Sequence, residues 1–139
     1  MSANMDLDHL YETFEFLDDW EERYRVIIDL GRKLPEMPEE QKTEETKVRG
    51  CMSQVWMITK KIDDAPPRYE FIADSDSHIV KGLIGVLQLA YSGKTLDEIR
   101  EVKIEDIFAR LGLDSHLSPN RRNGFFSMVE RINLLASAN

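Results

Sequence analysis

The sequence predicts an α+β fold in which a small antiparallel sheet is covered by helices. Three observations lead there. Two strand-like runs, Met52 to Ile62 and Arg68 to Asp74, are separated by the turn-forming Asp63-Asp64-Ala65-Pro66-Pro67 and are close enough to pair as a hairpin. Helical patterns flank this pair on both sides. A hairpin alone is marginal in water, so those helices, or a third strand, have to cover it. The chain of 139 residues carries no repeat, low-complexity segment or linker, and residues 1–139 read as a single domain.

In chain order, Leu7, Leu10, Phe14 and Leu17 recur at helical spacing and form one apolar face. A second helix is expected from Asp19, with Glu22 at capping-box separation. Trp20, Tyr24, Ile27 and Ile28 form its apolar face, and Gly31 is expected to stop it. Leu34-Pro35-Glu36-Met37-Pro38 breaks helix, and the polar stretch Gln41 to Lys47 reads as an exposed connection. Val48 to Cys51 is a candidate short third strand. The first hairpin strand is rich in β-formers (Val55, Trp56, Met57, Ile58), and the second alternates Tyr69, Phe71 and Ala73 with Arg68, Glu70 and Asp74.

Asp74-Ser75-Asp76-Ser77 supplies side chains able to cap a helix starting near His78. That helix is apolar nearly all round, from Ile79 to Ala90, and should be central. Gly82 and Gly85 within it each cost about 1 kcal/mol of helix propensity, which implies close approach of another backbone, expected to be the sheet. Gly93 ends it. Thr95-Leu96-Asp97-Glu98 is a capping box opening a short helix, and Ile104 to Leu111 forms another that stops at Gly112. Ser118 and Pro119 suit the cap and first position of a terminal helix, whose apolar face is Phe125, Phe126, Met128, Val129, Ile132 and Leu135.

Composition narrows the function. An apolar content of 42% and a charged content of 32% are those of a globular protein. The formal net charge of −8 leaves no basic footprint for nucleic acid. No apolar run is long enough to span a bilayer, and Met1 to Asp8 lacks a signal-peptide core. A single cysteine cannot form an internal disulfide and fits a reducing compartment, so a cytoplasmic location is expected.

That cysteine stands at the turning point of the chain, in Lys47-Val48-Arg49-Gly50-Cys51-Met52-Ser53-Gln54-Val55-Trp56. Gly50 permits a tight bend just before the thiol, and the Lys47 and Arg49 cations favour thiolate. A lone cysteine is also commonly a small buried hydrophobe, and both readings stand at this point. Metal binding is not expected, because one cysteine and three scattered histidines (His9, His78, His116) do not make a ligand set. Asp74 and Asp76 fit helix capping better than a hard-cation site. No phosphate loop, dinucleotide fingerprint or G-x-S-x-G is present, and no cofactor is expected. A Cys51–His78 thiol hydrolase would need an orienting group and an oxyanion hole, and a redox-sensing thiol rests only on Cys51 being alone.

The run Gly50-Cys51-Met52-Ser53-Gln54-Val55-Trp56 resembles the G-C-x-S-Q-V-W signature of the SufE family of sulfur-acceptor proteins, which includes the CsdE proteins. Trp20-Glu21-Glu22-Arg23-Tyr24, Leu30-Gly31, Leu34-Pro35, Asp74-Ser75-Asp76, Ile79-Val80-Lys81-Gly82-Leu83 and Pro119-Asn120-Arg121-Arg122-Asn123-Gly124 extend the resemblance over nearly the whole chain. It implies a fold shared with IscU-type iron–sulfur scaffolds. It also implies a carrier rather than an independent enzyme. Such a carrier takes persulfide sulfur from a SufS- or CsdA-like cysteine desulfurase onto Cys51, stimulates the desulfurase, and delivers sulfur to a SufBCD-like scaffold complex. Gly50, Ser53, Gln54, Asp74, Asp76 and Arg121 are the residues that the resemblance gathers around the persulfide or the partner. Arg121 has two plainer readings, a solvated charge or an internal ion pair.

Overall fold

The computed structural model describes residues 6–50 and 53–138. Two helices open the chain, α1 (Leu7–Phe16) and α2 (Trp20–Arg32). Asp6 caps α1 through the His9 N–H and Asp19 caps α2 through the Glu21 N–H. Arg23 ties the two together, donating to the carbonyls of Phe14 and Leu17 at the end of α1. Trp20 packs edge-on to Phe14 and stacks on His116, and the Tyr24 hydroxyl donates to the His116 carbonyl. Trp20 and Tyr24 are therefore packing residues, as their apolar faces suggested.

The expected hairpin is present. Strand β1 (Val55–Ile62) pairs antiparallel with β2 (Arg68–Ser75), in a register running from Val55 opposite Ser75 to Ile62 opposite Arg68. Tyr69, Phe71 and Ala73 are buried while Arg68 and Glu70 are exposed, as the alternation required, but Asp74, expected on the polar side, is buried because Lys42 and Lys81 pair with it. The first strand begins later than expected: Ser53 and Gln54 precede it, and Met52 lies outside the described residues. Among the described residues the third strand is not Val48 to Cys51 but β3 (Lys94–Thr95), paired to the start of β2. The segment before Gly50 makes a single bridge, Lys47 opposite Trp56.

Helix α3 (His78–Tyr91) is the buried centre, with Leu83, Ile84, Val86, Leu87 and Ala90 almost completely enclosed. Its glycines meet α2, not the sheet. A Cβ on Gly82 would lie 2.4 Å from the Ile27 carbonyl oxygen, and one on Gly85 would lie 2.8 Å from Leu30 Cβ. From the other side, a Cβ on Gly31 would sit 2.7 Å from the Gly82 nitrogen. Gly31 therefore does not stop α2, which continues to Arg32. The three glycines let two helix backbones touch.

Of the expected cap candidates for α3 it is Ser77 that serves, accepting from the Val80 N–H, whereas the aspartates at 74 and 76, also expected to cap, are used elsewhere. After Gly93 (φ +77°), Thr95 and Glu98 form the expected capping box at the head of α4 (Leu96–Arg100). Two helices follow, α5 (Ile104–Arg110) and α6 (Leu113–His116), divided at Gly112 (φ +76°). The chain closes with α7 (Pro119–Ala138), whose first turn is capped by the Ser118 hydroxyl accepting from the Arg121 N–H. Phe125, Met128, Ile132 and Ala136 on α7 join Met57, Phe71, Ile84 and Leu87 in one continuous core. The result is an α+β fold with helices covering a small antiparallel sheet.

Candidate functional site

Cys51 lies outside the described residues, while the chain up to Gly50 and from Ser53 onward is described. On the upstream side Gly50 takes φ +89°, the left-handed region that favours glycine. A Cβ there would lie 2.5 Å from the Ser127 hydroxyl, so the bend is seated directly on α7. On the downstream side the Gln54 N–H donates to Asp76 Oδ1 at 3.0 Å, and the Asp76 N–H returns a bond to the Gln54 carbonyl at 3.3 Å. The role of Asp76 is thus to hold the chain leaving the cysteine.

Ser53 opens onto a cavity of about 240 Å³. Val80 and Leu83 of α3 form one wall, and Asn120, Arg121, Gly124, Phe125 and Met128 of α7 form the other, with Ser118 at its edge. The spacing explains the α7 wall: positions 121, 124, 125 and 128 fall on one helix face. The lining is apolar at depth, with hydroxyl, amide and guanidinium groups on the rim. Among the described residues no carboxylate pairs with Arg121, which removes the internal ion-pair reading of that side chain. Arg122 points elsewhere and donates to the Asp114 carbonyl.

Asp74 does not line the cavity. It is buried at the end of β2, with Lys42 Nζ at 3.1 Å from one carboxylate oxygen and Lys81 Nζ at 3.4 Å from the other. The Ser75 N–H also donates to it, at 2.8 Å. Burial pushes its pKa up, but the Lys42 hydrogen bond, the Ser75 N–H and the Lys81 charge outweigh burial and hold the carboxyl below its usual value. Lys42 is correspondingly raised, by its hydrogen bonds to Glu39 and Asp74. Lys42 also lies over Trp56, 5.4 Å from the ring centre, and Trp56 is the cross-strand partner of Asp74. One lysine from the loop before the thiol segment therefore clamps the hairpin end on which that segment sits.

The structure brings Gly50, Ser53, Gln54, Asp76 and Arg121 to one end of the molecule and puts Asp74 just behind them. Of the two upstream cations, Arg49 is exposed and pairs with Glu44 at 3.4 Å. His78, the conceivable partner for a thiol hydrolase, is exposed at the first position of α3. Among the described residues no group of histidine, aspartate and glutamate side chains is arranged to hold a metal ion. None of the described helices is long and apolar enough to cross a membrane. Sequence reasoning missed Lys42, Ser127 and Arg131. Their partners are a distant carboxylate, a glycine and two backbone carbonyls, none of which leaves a periodic trace.

Comparisons with known proteins bear on the fold and the family. A solution structure of a hypothetical protein from Thermus thermophilus superposes with a TM-score of 0.75 over 95% of this chain and 93% of that one. At 19% identity this likeness speaks for the fold alone. Two uncharacterized SufE-like proteins are each 49% identical over 127 residues, or 91% of this chain. One, from Rhizobium meliloti, is covered over 91% of its length, and the other, from Rhizobium etli, over 86%. The family model described as "SufE: Fe-S metabolism associated domain" matches residues 8–136. The chain belongs to the SufE family, a family of iron–sulfur metabolism.

Proposed function

We propose that this protein is a sulfur carrier, with Cys51 as the acceptor. Cys51 as thiolate attacks the outer sulfur of a persulfide on a cysteine desulfurase, and the desulfurase thiolate leaves. The sulfur then rests on Cys51 as a persulfide until it passes to an iron–sulfur assembly scaffold of the SufBCD kind. By clearing its partner's persulfide the protein stimulates the desulfurase, while completing no turnover alone. It works in the cytoplasm, where small thiols are abundant, so shelter for the persulfide is useful.

The observation that carries this reading is the position of the only thiol of a SufE-family chain. Its described neighbours support the reading: Gly50 lies against Ser127 of α7, and Ser53 lies at the cavity mouth. A cavity apolar at depth with Arg121 on its rim suits a sulfur anion, because the cation stabilises charge while the walls exclude water. His78 has no observed link to the thiol segment among the described residues, so hydrolysis gains no support here.

Intact-mass measurement after incubation with a desulfurase and cysteine tests the assignment. Wild type should gain sulfur on Cys51, and Cys51→Ser should gain none while keeping its circular dichroism, because the hydroxyl is a far weaker nucleophile. Arg121→Ala should accept sulfur more slowly and stimulate the desulfurase less, with Arg122→Ala much closer to wild type. Sulfur uptake by Cys51→Ser would overturn the acceptor assignment. Coincident curves for wild type and Arg121→Ala would remove Arg121 from the site.

A further inference from the structure

The segment leading to Cys51 meets β1 in one bridge, Lys47 opposite Trp56, with a turn on either side. Its inward-facing groups are paired with the strand: the Met57 N–H donates to the Thr46 carbonyl and the Val48 N–H to the Val55 carbonyl, both at 2.8 Å. The Glu45 and Lys47 carbonyls take no part in these bonds to β1. Both are taken by one side chain. Arg131 of α7 donates from Nη1 to the Lys47 carbonyl at 3.0 Å and from Nη2 to the Glu45 carbonyl at 2.6 Å. One turn earlier on the same helix, Ser127 lies against Gly50.

A planar guanidinium presents its donors as a rigid fork, so the two carbonyls it holds are fixed relative to α7. These two bonds and the contact of Gly50 with Ser127 tie the segment upstream of Cys51 to α7, as Asp76 ties the chain downstream at Gln54.

We propose that Arg131 is a positioning residue for the Cys51 thiol, acting through the Glu45 and Lys47 carbonyls. This rests on the reading of Cys51 as the sulfur acceptor. The side chain touches no sulfur itself and sets the geometry from which sulfur is received. A displacement of about 1 Å at a reacting group can cost up to a hundredfold in rate, so loss of the fork should be visible in transfer before it is visible in the fold.

The test compares Arg131→Ala, Arg131→Lys and Ile132→Val. The lysine variant keeps the charge but offers a single donor point. Ile132→Val weakens the same helix from its buried side without touching the segment. Two readouts are needed: the alkylation rate of Cys51 by iodoacetamide against pH without any partner, and desulfurase stimulation against carrier concentration. For Arg131→Ala, alkylation should become several-fold faster because the released segment samples more open conformers, while maximal stimulation falls about tenfold. Arg131→Lys should lie between it and wild type, and Ile132→Val should match wild type in both. Wild-type alkylation and stimulation in a folded Arg131→Ala would overturn the proposal, as would an equal loss in Ile132→Val. If Arg131→Ala does not fold, Arg131→Lys decides in the same way. Should wild type take up no sulfur at all, the acceptor reading fails by itself, and the alkylation profiles still decide whether Arg131 positions the thiol.

Discussion

Asp74 and Asp76 are two residues apart and looked interchangeable as helix-capping groups, yet each has a separate task. Asp76 grips the backbone of Gln54, whereas Asp74 is the buried counter-ion of Lys42 and Lys81. Asp74→Asn keeps the shape and removes the charge, leaving two lysines with a weakened partner. The expected loss is about 1 kcal/mol near neutral pH, set by the buried carboxylate and discounted because both lysines reach solvent. The sign with pH follows from the depressed carboxyl. Its stabilisation is fully present above the unfolded value of 3.8 and disappears as pH falls through the lower folded value. Urea midpoints of wild type and Asp74→Asn should therefore differ at pH about 7 and draw together as pH falls below 3.8 and on through the lower folded value. A constant gap across that range would mean that shape, not charge, sets the effect. The presence of a capping cluster was legible from composition. Which member caps was not, because Ser77, Asp76 and Asp74 all carry acceptors at workable distances along the chain.

Among the elements, the contact between α2 and α3 is where sequence reading was half right. The glycine signal in α3 correctly announced a close backbone approach. It did not name the partner, since an apolar face says that something covers it and not what. Gly31 shows the same ambiguity, because a glycine after an apolar stretch reads as a helix stop as easily as a helix–helix contact. Substituting Gly82→Ala gains about 1 kcal/mol of helix propensity. The new methyl falls onto the Ile27 carbonyl, which belongs to a helix backbone and cannot rotate away. Overpacking should prevail, with a net destabilisation of about 1–3 kcal/mol in urea unfolding. A Gly82→Ala variant as stable as wild type would show that α2 shifts without resistance. The hairpin, by contrast, was legible in its pairing and its turn, because the two runs and the break between them specify it, although β1 begins at Val55 and not at Met52. β3 was missed for the converse reason: two residues carry no alternation, and Thr95 was already accounted for as a cap.

Across the whole molecule the core is continuous from α1 to α7, and the two tryptophans sample distant parts of it. Trp20 lies among α1, α2 and α6, and Trp56 on β1 beside the thiol segment. If residues 1–139 fold as one cooperative unit, each single-tryptophan variant (Trp20→Phe, Trp56→Phe) should show coincident fluorescence and circular dichroism transitions in urea. Separate midpoints in either variant would divide the chain into independently melting parts. At this scale the sequence displayed the site's chemistry, through its single cysteine and its family signature, more fully than the mounting. The mounting consists of long-range bonds such as Arg131 to Lys47, which join positions 84 residues apart. The glycine contact has one further consequence, a mechanical one. Val80 and Leu83 belong to a helix pressed backbone-to-backbone against α2, so that side of the cavity behaves as the fixed jaw of a vice. A bulkier occupant therefore meets no give at Val80 and Leu83, and any room it needs has to come from the opposite wall.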